Sequence, residues 1–369
     1  MVGALLTGCA SEPKLEKVSF GALPGWQQDN IIEAVPAYQK SCEALLKNNP
    51  QEMLGYEGVP VAFSPWERAC TAFLKNPPKT SSEFRKFLET HFEVYTVQDE
   101  NNGEGLFTGY YEPFVEASYA RSEIYNTPLY RKPKDLIVVE NLGIFKPRMK
   151  GERIAGRVHR GTLIPYYSRS EIENGILENQ GLEIAWVKDP VDLFFLHIQG
   201  SGRLQFEDGS SLGIGYDGTN GQFYIAIGKI LYERGHIPKD QINLESMKSW
   251  LKAHPEEGRE IMNLNPSYVF FRVRDTQDPV GSQRVELTPT RSLAIDRKWV
   301  EWGNLLWLDC EHPLGDQPLQ RLMVTQDTGG AIKGAVRGDF YWGSGPQAEK
   351  YAGPMESKVR FYVLVPKEN

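Results

Sequence analysis

Asp327 and Asp339 stand twelve residues apart, in Gln326-Asp327-Thr328-Gly329-Gly330-Ala331-Ile332-Lys333-Gly334 and Gly338-Asp339-Phe340-Tyr341-Trp342-Gly343. Each lies at the edge of a glycine-rich loop, and three aromatic residues follow the second. Carboxylates on turns beside ring surface are what cleavage of a glycosidic bond requires. An aspartic acid with an ordinary pKa of about 3.9 is ionised at neutral pH, so a general acid needs burial or a second negative charge close by. A partner aspartate and an aromatic wall would supply both. A plainer role fits the same residues, with each carboxylate closing an Asx turn, the commoner fate of Asp beside Gly. The amides of Gly329 and Gly330, with Lys333 nearby, would stabilise charge in such a site. Equally, Lys333 reads as a solvated loop cation.

The elements that must hold these residues are short. Gly (35) and Pro (24) are abundant in the 369 residues, which points to strands joined by turns. From Trp26 to Val94 the apolar spacing is helical, broken at Pro77-Pro78, with a capped helix start at Thr80-Ser81-Ser82-Glu83. From Phe107 to about Arg274 short strands are expected. Leu193–Ile198 is one of them, ending in the turn Gln199-Gly200-Ser201-Gly202, and Val269–Val273 is another. Helices are expected within Phe223–Arg234 and over Leu244–Ala253. Strands return at Ser292–Ile295, Leu305–Leu308, Leu322–Thr325 and Arg360–Val365, after a boundary at Asp275–Gly281. The expected class is mainly β with some α.

Length allows two domains at roughly 100–200 residues each. With 40% apolar and 11% aromatic residues, long disorder is excluded. The balance of 41 basic against 48 acidic residues gives a net charge of −7, which argues against nucleic acid, whose binders need a basic face. The four cysteines form no CxxC pair and the six histidines have no ligand spacing, so neither a metal nor another cofactor is expected. No stretch approaches the ~20 apolar residues of a membrane-spanning helix.

Leu6-Thr7-Gly8-Cys9 resembles the bacterial lipobox, in which the cysteine is lipidated. Residues 1–20 accordingly read as a truncated lipoprotein signal and linker, with Cys9 the lipidation site and a lipid anchor the only attachment to a membrane. Neither Ala10 nor Ser11 is the Asp that retains lipoproteins at the inner membrane, so the outer membrane facing the periplasm of a Gram-negative bacterium is expected. That compartment is oxidising, which permits a Cys42–Cys70 disulfide. Two free buried thiols fit the sequence almost as well, and Cys310 is left over.

Several long motifs in order resemble the membrane-bound lytic murein transglycosylase A family, from about Leu23-Pro24-Gly25-Trp26 to Pro366. They are Thr108-Gly109-Tyr110-Tyr111-Glu112-Pro113, Asp189-Pro190-Val191-Asp192 with Phe194 through Arg203, Asn265 through Phe271, Arg291 through Asp296, and the two Asp segments. The chain departs from the family pattern at Val359, where a loop glycine is expected. The resemblance implies a double-psi β-barrel catalytic domain, 21–112 with 275–369, completed by a region named for three aspartates, here Asp296, Asp327 and Asp339. It also implies an inserted β-barrel-like domain, 113–274, and glycan in a groove between the two. Asp339 would be the catalytic residue, Asp327 its support and Asp296 a structural partner of the barrel loops. Thr108, Tyr110, Tyr111, Gln199, Gly200 and Ser201 would contact sugar. The implied activity is that of a peptidoglycan lytic exotransglycosylase, cutting between N-acetylmuramic acid and N-acetylglucosamine to leave a 1,6-anhydro end. The partners are glycan strands and a cell-wall synthase or scaffold complex. An inverting hydrolase that uses Asp339 and Asp327 with water, and a non-catalytic wall-binding lipoprotein, are the alternatives.

Overall fold

The computed structural model of the protein describes residues 14–48, 54–56, 59–98, 103–139, 141–149 and 152–368; Cys9 lies outside the described residues. Among the described residues no helix is long and apolar enough to cross a membrane. The chain is strand-rich and divides into two compact units. One holds the chain up to Tyr110, Val280–Gly343 and the chain from Pro354 onward; the other holds Tyr111–Pro279 and Ser344–Gly353. The short return of residues 344–353 to the second unit has no signature in the sequence.

The first unit opens with strand β1 (Lys14–Val18), helix α1 (Val35–Asn48), the small pair β2 (Leu54–Tyr56) and β3 (Val59–Val61), then helices α2 (Phe63–Lys75) and α3 (Ser81–His91). Thr80 caps α3 by accepting from the Glu83 amide, while the Glu83 carboxylate accepts from the Lys79 amide, so the expected helix start is present. A disulfide joins Cys42 of α1 to Cys70 of α2, and Cys310 is buried and free. Strands β4 (Phe92–Gln98) and β5 (Gly105–Glu112) lead into the second unit.

That unit contains β6 (Phe114–Ser118), β7 (Thr127–Tyr130), β8 (Ile137–Val139), β9 (Ile154–His159), β10 (Thr162–Pro165), the helical turn α4 (Arg169–Glu171), β11 (Glu183–Val187), α5 (Pro190–Gln199), β12 (Ser201–Gln205) and β13 (Ser211–Thr219). Helices α6 (Ile227–Glu233), α7 (Leu244–Ala253) and α8 (Pro255–Asn263) and strand β14 (Val269–Val273) follow. Six of its strands form one sheet in the order β14-β13-β12-β6-β11-β7, and β10-β9-β8 form another.

Residues 193–198, expected as a strand, belong instead to α5. The helix signals sit at its ends: the Asp189 carboxylate accepts from the Val191 amide, Pro190 takes the first turn, and Gly200 closes the helix at φ 75°. Because the helix is buried from Leu193 through His197, its apolar run shows no amphipathic period and mimics a buried strand.

The last part supplies β15 (Ser292–Ile295), β16 (Leu305–Cys310), β17 (Leu319–Thr328), β18 (Arg337–Ser344), α9 (Gly345–Ala352) and β19 (Glu356–Pro366). Around the first unit the order β19-β16-β17-β15-β18-β5 returns to β19, a closed six-stranded barrel, with β4 and β1 continuing from β19 as a sheet. Val359 is not in a loop; it is buried in β19, opposite Cys310 on one side and Gly105 on the other. Trp26, Trp66, Trp307, Phe340 and Phe361 sit in the core of this unit. Arg291, at the start of β15, is buried against Asp29 in a two-pronged pair at 2.7 and 2.8 Å and also donates to the carbonyls of Asn30 and Leu322. Fork geometry of this kind compensates a buried charge through both Nη atoms, while Nε has no partner among the described residues.

Candidate active site

Asp327 and Asp339 are in strands, not in the loops expected for them. Strand β15 lies between β17 and β18, and its Ala294 is opposite Asp327 on one side and Asp339 on the other. Residues paired across a sheet point to the same face, so both carboxylates project together with one methyl group between them. At roughly 4.8 Å per strand spacing, their backbones are about 10 Å apart.

A bulge makes this row. Leu293 pairs with Thr325 and Ala294 with Asp327, so Gln326 is passed over in the register. Regular alternation would place Gln326 beside Ala294 and turn Asp327 to the other face. The Gln326 side chain is fully buried, donating to the Ala37 carbonyl and Ser41 Oγ of α1 and accepting from Ser292 Oγ. The helix before the insert thereby fixes the strand after it.

Asp339 is half-buried, and Thr108 Oγ1 of β5 donates to its Oδ1 at 2.8 Å. The same hydroxyl accepts from Arg337 Nη2 at 2.9 Å, so Thr108 links guanidinium to carboxylate. Among the described residues Oδ2 has no hydrogen-bond partner. Loss of water around Asp339 pushes its carboxyl up to about 6; the Thr108 bond and the Arg337 charge oppose that shift, and the Asp327 charge adds to it. Gly338 precedes it because a side chain there would meet the Phe107 ring of β5, 2.7 Å from an added Cβ.

Asp327 is held more tightly. Its Oδ1 accepts from the Ser282 amide at 2.9 Å, Ser282 Oγ at 2.8 Å and the Thr328 amide at 2.9 Å, and its Oδ2 accepts from the Tyr110 hydroxyl at 3.1 Å. Burial raises this carboxyl above its ordinary value, and those bonds pull against the rise. The Tyr110 ring lies 5.1 Å from that of Tyr341, and burial with the two carboxylates holds its phenol well above the usual range.

Asp296 does a different task. It accepts from the Lys298 amide at 3.1 Å and the Gly334 amide at 2.9 Å, tying the turn after β15 to the loop that carries Gly329, Gly330 and Lys333. Lys333 is exposed, its amine 4.0 Å from Asp296. Gly330 is exposed too, and Gly329 closes a turn to Ile332. In the second unit Tyr111 is buried, and its amide donates to Gln199 Oε1 at 3.2 Å; Gly200 ends α5 and Ser201 begins β12 opposite Gly215. Sequence reasoning missed Ser282, Arg337 and Ala294. Arg337, two residues before Asp339, was the legible one; Ser282 and Ala294 matter only through register and a distant loop.

A half-buried acid with a raised carboxyl thus stands beside a second half-buried aspartate on a six-stranded barrel. Residues 291–365 match the model of the 3D domain, and residues 106–272 match that of the MltA specific insert domain. The membrane-bound lytic murein transglycosylase A of Escherichia coli K12 is 35% identical over 272 residues, 72% of this chain and 67% of that protein. The Vibrio cholerae protein of the same name is 31% identical, over 72% of this chain and 66% of its own length. Among solved structures, a membrane-bound lytic murein transglycosylase from Agrobacterium tumefaciens superposes with a TM-score of 0.84 at 30% identity, covering 96% of this chain and 98% of that one. E. coli MltA with bound chitohexaose gives a TM-score of 0.70 at 27% identity, covering 95% and 94%. The chain belongs to the membrane-bound lytic murein transglycosylase A family.

Proposed function

We propose that this chain is a lytic transglycosylase that cuts the β-1,4 bond between N-acetylmuramic acid and N-acetylglucosamine in peptidoglycan and closes a 1,6-anhydro ring, with Asp339 as acid and then base. The observation that carries the reading is the Asp339 carboxyl, pushed up to about 6, with no hydrogen-bond partner for Oδ2 among the described residues. Protonated Asp339 gives its proton to the glycosidic oxygen, which leaves with the bonding electrons as C1 takes on oxocarbenium character. The carboxylate then takes the proton of the C6 hydroxyl while O6 bonds to C1. Asp339 ends protonated, as it began, and no water is consumed.

Asp327 supports this cycle as a fixed anion that keeps the Asp339 proton in place and favours the cationic sugar. Four donated hydrogen bonds leave it poorly suited to activating a water, which favours transglycosylation over inverting hydrolysis. Residues 21–112 and 275–369, apart from the return of 344–353 to the second unit, serve as the catalytic domain and 113–274 as its insert, with Thr108 and Tyr110 contacting sugar. The lipobox at Cys9 and the membrane-bound relatives support a lipid anchor in the outer membrane, facing the periplasm.

Digestion of purified sacculi followed by mass spectrometry tests the chemistry. Muropeptides one water lighter than hydrolytic products are expected. Products carrying the water would establish a hydrolase, and sacculi left unchanged would leave only wall binding.

A further inference from the structure

The second unit contains a cavity of about 1000 Å3, at the upper end of small-molecule sites, flanked by α5 and by β6 and β7. Its lining includes Tyr130, Arg169, Phe194, His197 and Tyr268, all fully or almost fully buried. Arg169 is fixed from several sides: it donates to the carbonyls of Asn265 and Ser267, to Glu173, and from Nη1 to His197 Nδ1 at 3.0 Å. Since Nδ1 accepts, the imidazole carries its proton on Nε2. That Nε2–H has no partner among the described residues, and neither has the Tyr130 hydroxyl. Two buried donors left open in a cavity wall are costly unless something fills them.

We propose that this cavity is a binding site for a short peptide ending in a carboxylate and bearing an amino group, the class of stem peptide that murein carries; the inference rests on murein as the substrate. The two open donors require an acceptor. The Arg169 guanidinium behind His197 favours a charged acceptor over a neutral carbonyl. Further out the lining carries both signs, Lys252 against Asp189 and Asp192 at 2.7 and 2.9 Å and Lys188 against Glu116 at 2.6 Å. Such a border disfavours a polyanion and suits a molecule with amino and carboxylate groups together. Phe194 and Tyr268 give the apolar wall that a peptide backbone and its methyl groups pack against.

The test is calorimetric titration of the full chain with the free tripeptide L-alanyl-γ-D-glutamyl-meso-diaminopimelate, alongside Tyr130→Phe and His197→Gln. Saturable binding is expected, weakened about tenfold by Tyr130→Phe. The Tm of that variant should not fall, because the hydroxyl it removes has no hydrogen-bond partner among the described residues, and its chitohexaose binding should be unchanged. No binding up to about 10 mM tripeptide, or equal affinity in wild type and both variants, would overturn the assignment. A parallel digest of peptide-free glycan separates the two readings. Anhydro ends without tripeptide binding would sink the pocket alone, and tripeptide binding without anhydro ends would sink the transglycosylase reading alone.

Discussion

On the proposed mechanism Asp339 sets the pH dependence of catalysis. Its carboxyl would have to be protonated when the glycosidic bond breaks, and the protonated fraction falls tenfold per pH unit above about 6, so kcat/KM on soluble peptidoglycan should fall with that limb. The Asp327 charge helps raise the Asp339 value, so Asp327→Asn should move the limb to lower pH while its amide oxygen still accepts from Ser282; an alkaline shift would show that the two are not coupled in this way. Asp339→Asn should bind glycan and release no anhydro product. Folding gives the same sign from another side. The folded value of about 6 lies above the unfolded 3.8, so the stability this group contributes is full below about pH 4 and is lost as pH rises through 6. Asn keeps the bond from Thr108 and cannot ionise, so the Tm of Asp339→Asn relative to wild type should be higher at pH 8 than at pH 4. The two aspartates stand out in the sequence by their glycine-rich and aromatic neighbours, and their roles follow only from the family resemblance. Whether either carboxyl is an acid was not legible, because that depends on Thr108, on the opposing arginine and on lost water.

At the scale of elements, one small residue keeps the two carboxylates in line. Ala294 is buried between Asp327 and Asp339, and Leu in its place would overpack the row, costing about 1–3 kcal/mol. Ala294→Leu should lower kcat far more than KM, read on soluble glycan; an unchanged kcat would show that the spacing of the pair is not set by this strand. Strands β15 and β17 could be read from their apolar runs, but not the passed-over Gln326, because a bulge follows from what buries the odd residue, here Ala37 and Ser41 of a helix some 290 positions earlier. Helix α5 was misread for the opposite reason. Asp189, Pro190 and Gly200 mark its ends at the proper spacing, yet the buried run between them carried more weight than its caps. End signals deserve priority wherever an apolar run has no period.

For the whole molecule, the Cys42–Cys70 bridge closes a 28-residue separation between α1 and α2, and α1 also carries the groups that hold Gln326. Loop-closure entropy assigns such a bridge about 3–4 kcal/mol. Reduction, or Cys42→Ser with Cys70→Ser, should lower the unfolding free energy read from urea titration by that amount, and activity should decline with it; an unchanged value would mean that α1 is held by packing alone. Two units and a β-rich class were within reach of length and composition. The barrel itself was expected only through the family resemblance, because its closure depends on one strand. β19 pairs with β16 along its middle, with β4 toward one end and with β5 toward the other, so three separate stretches of chain wait on a single late partner. Until that strand arrives, β4, β5 and β16 each present an open edge. The second unit has its own sheets and cores and can fold first, while the barrel stays a half-built template, vulnerable to mispairing.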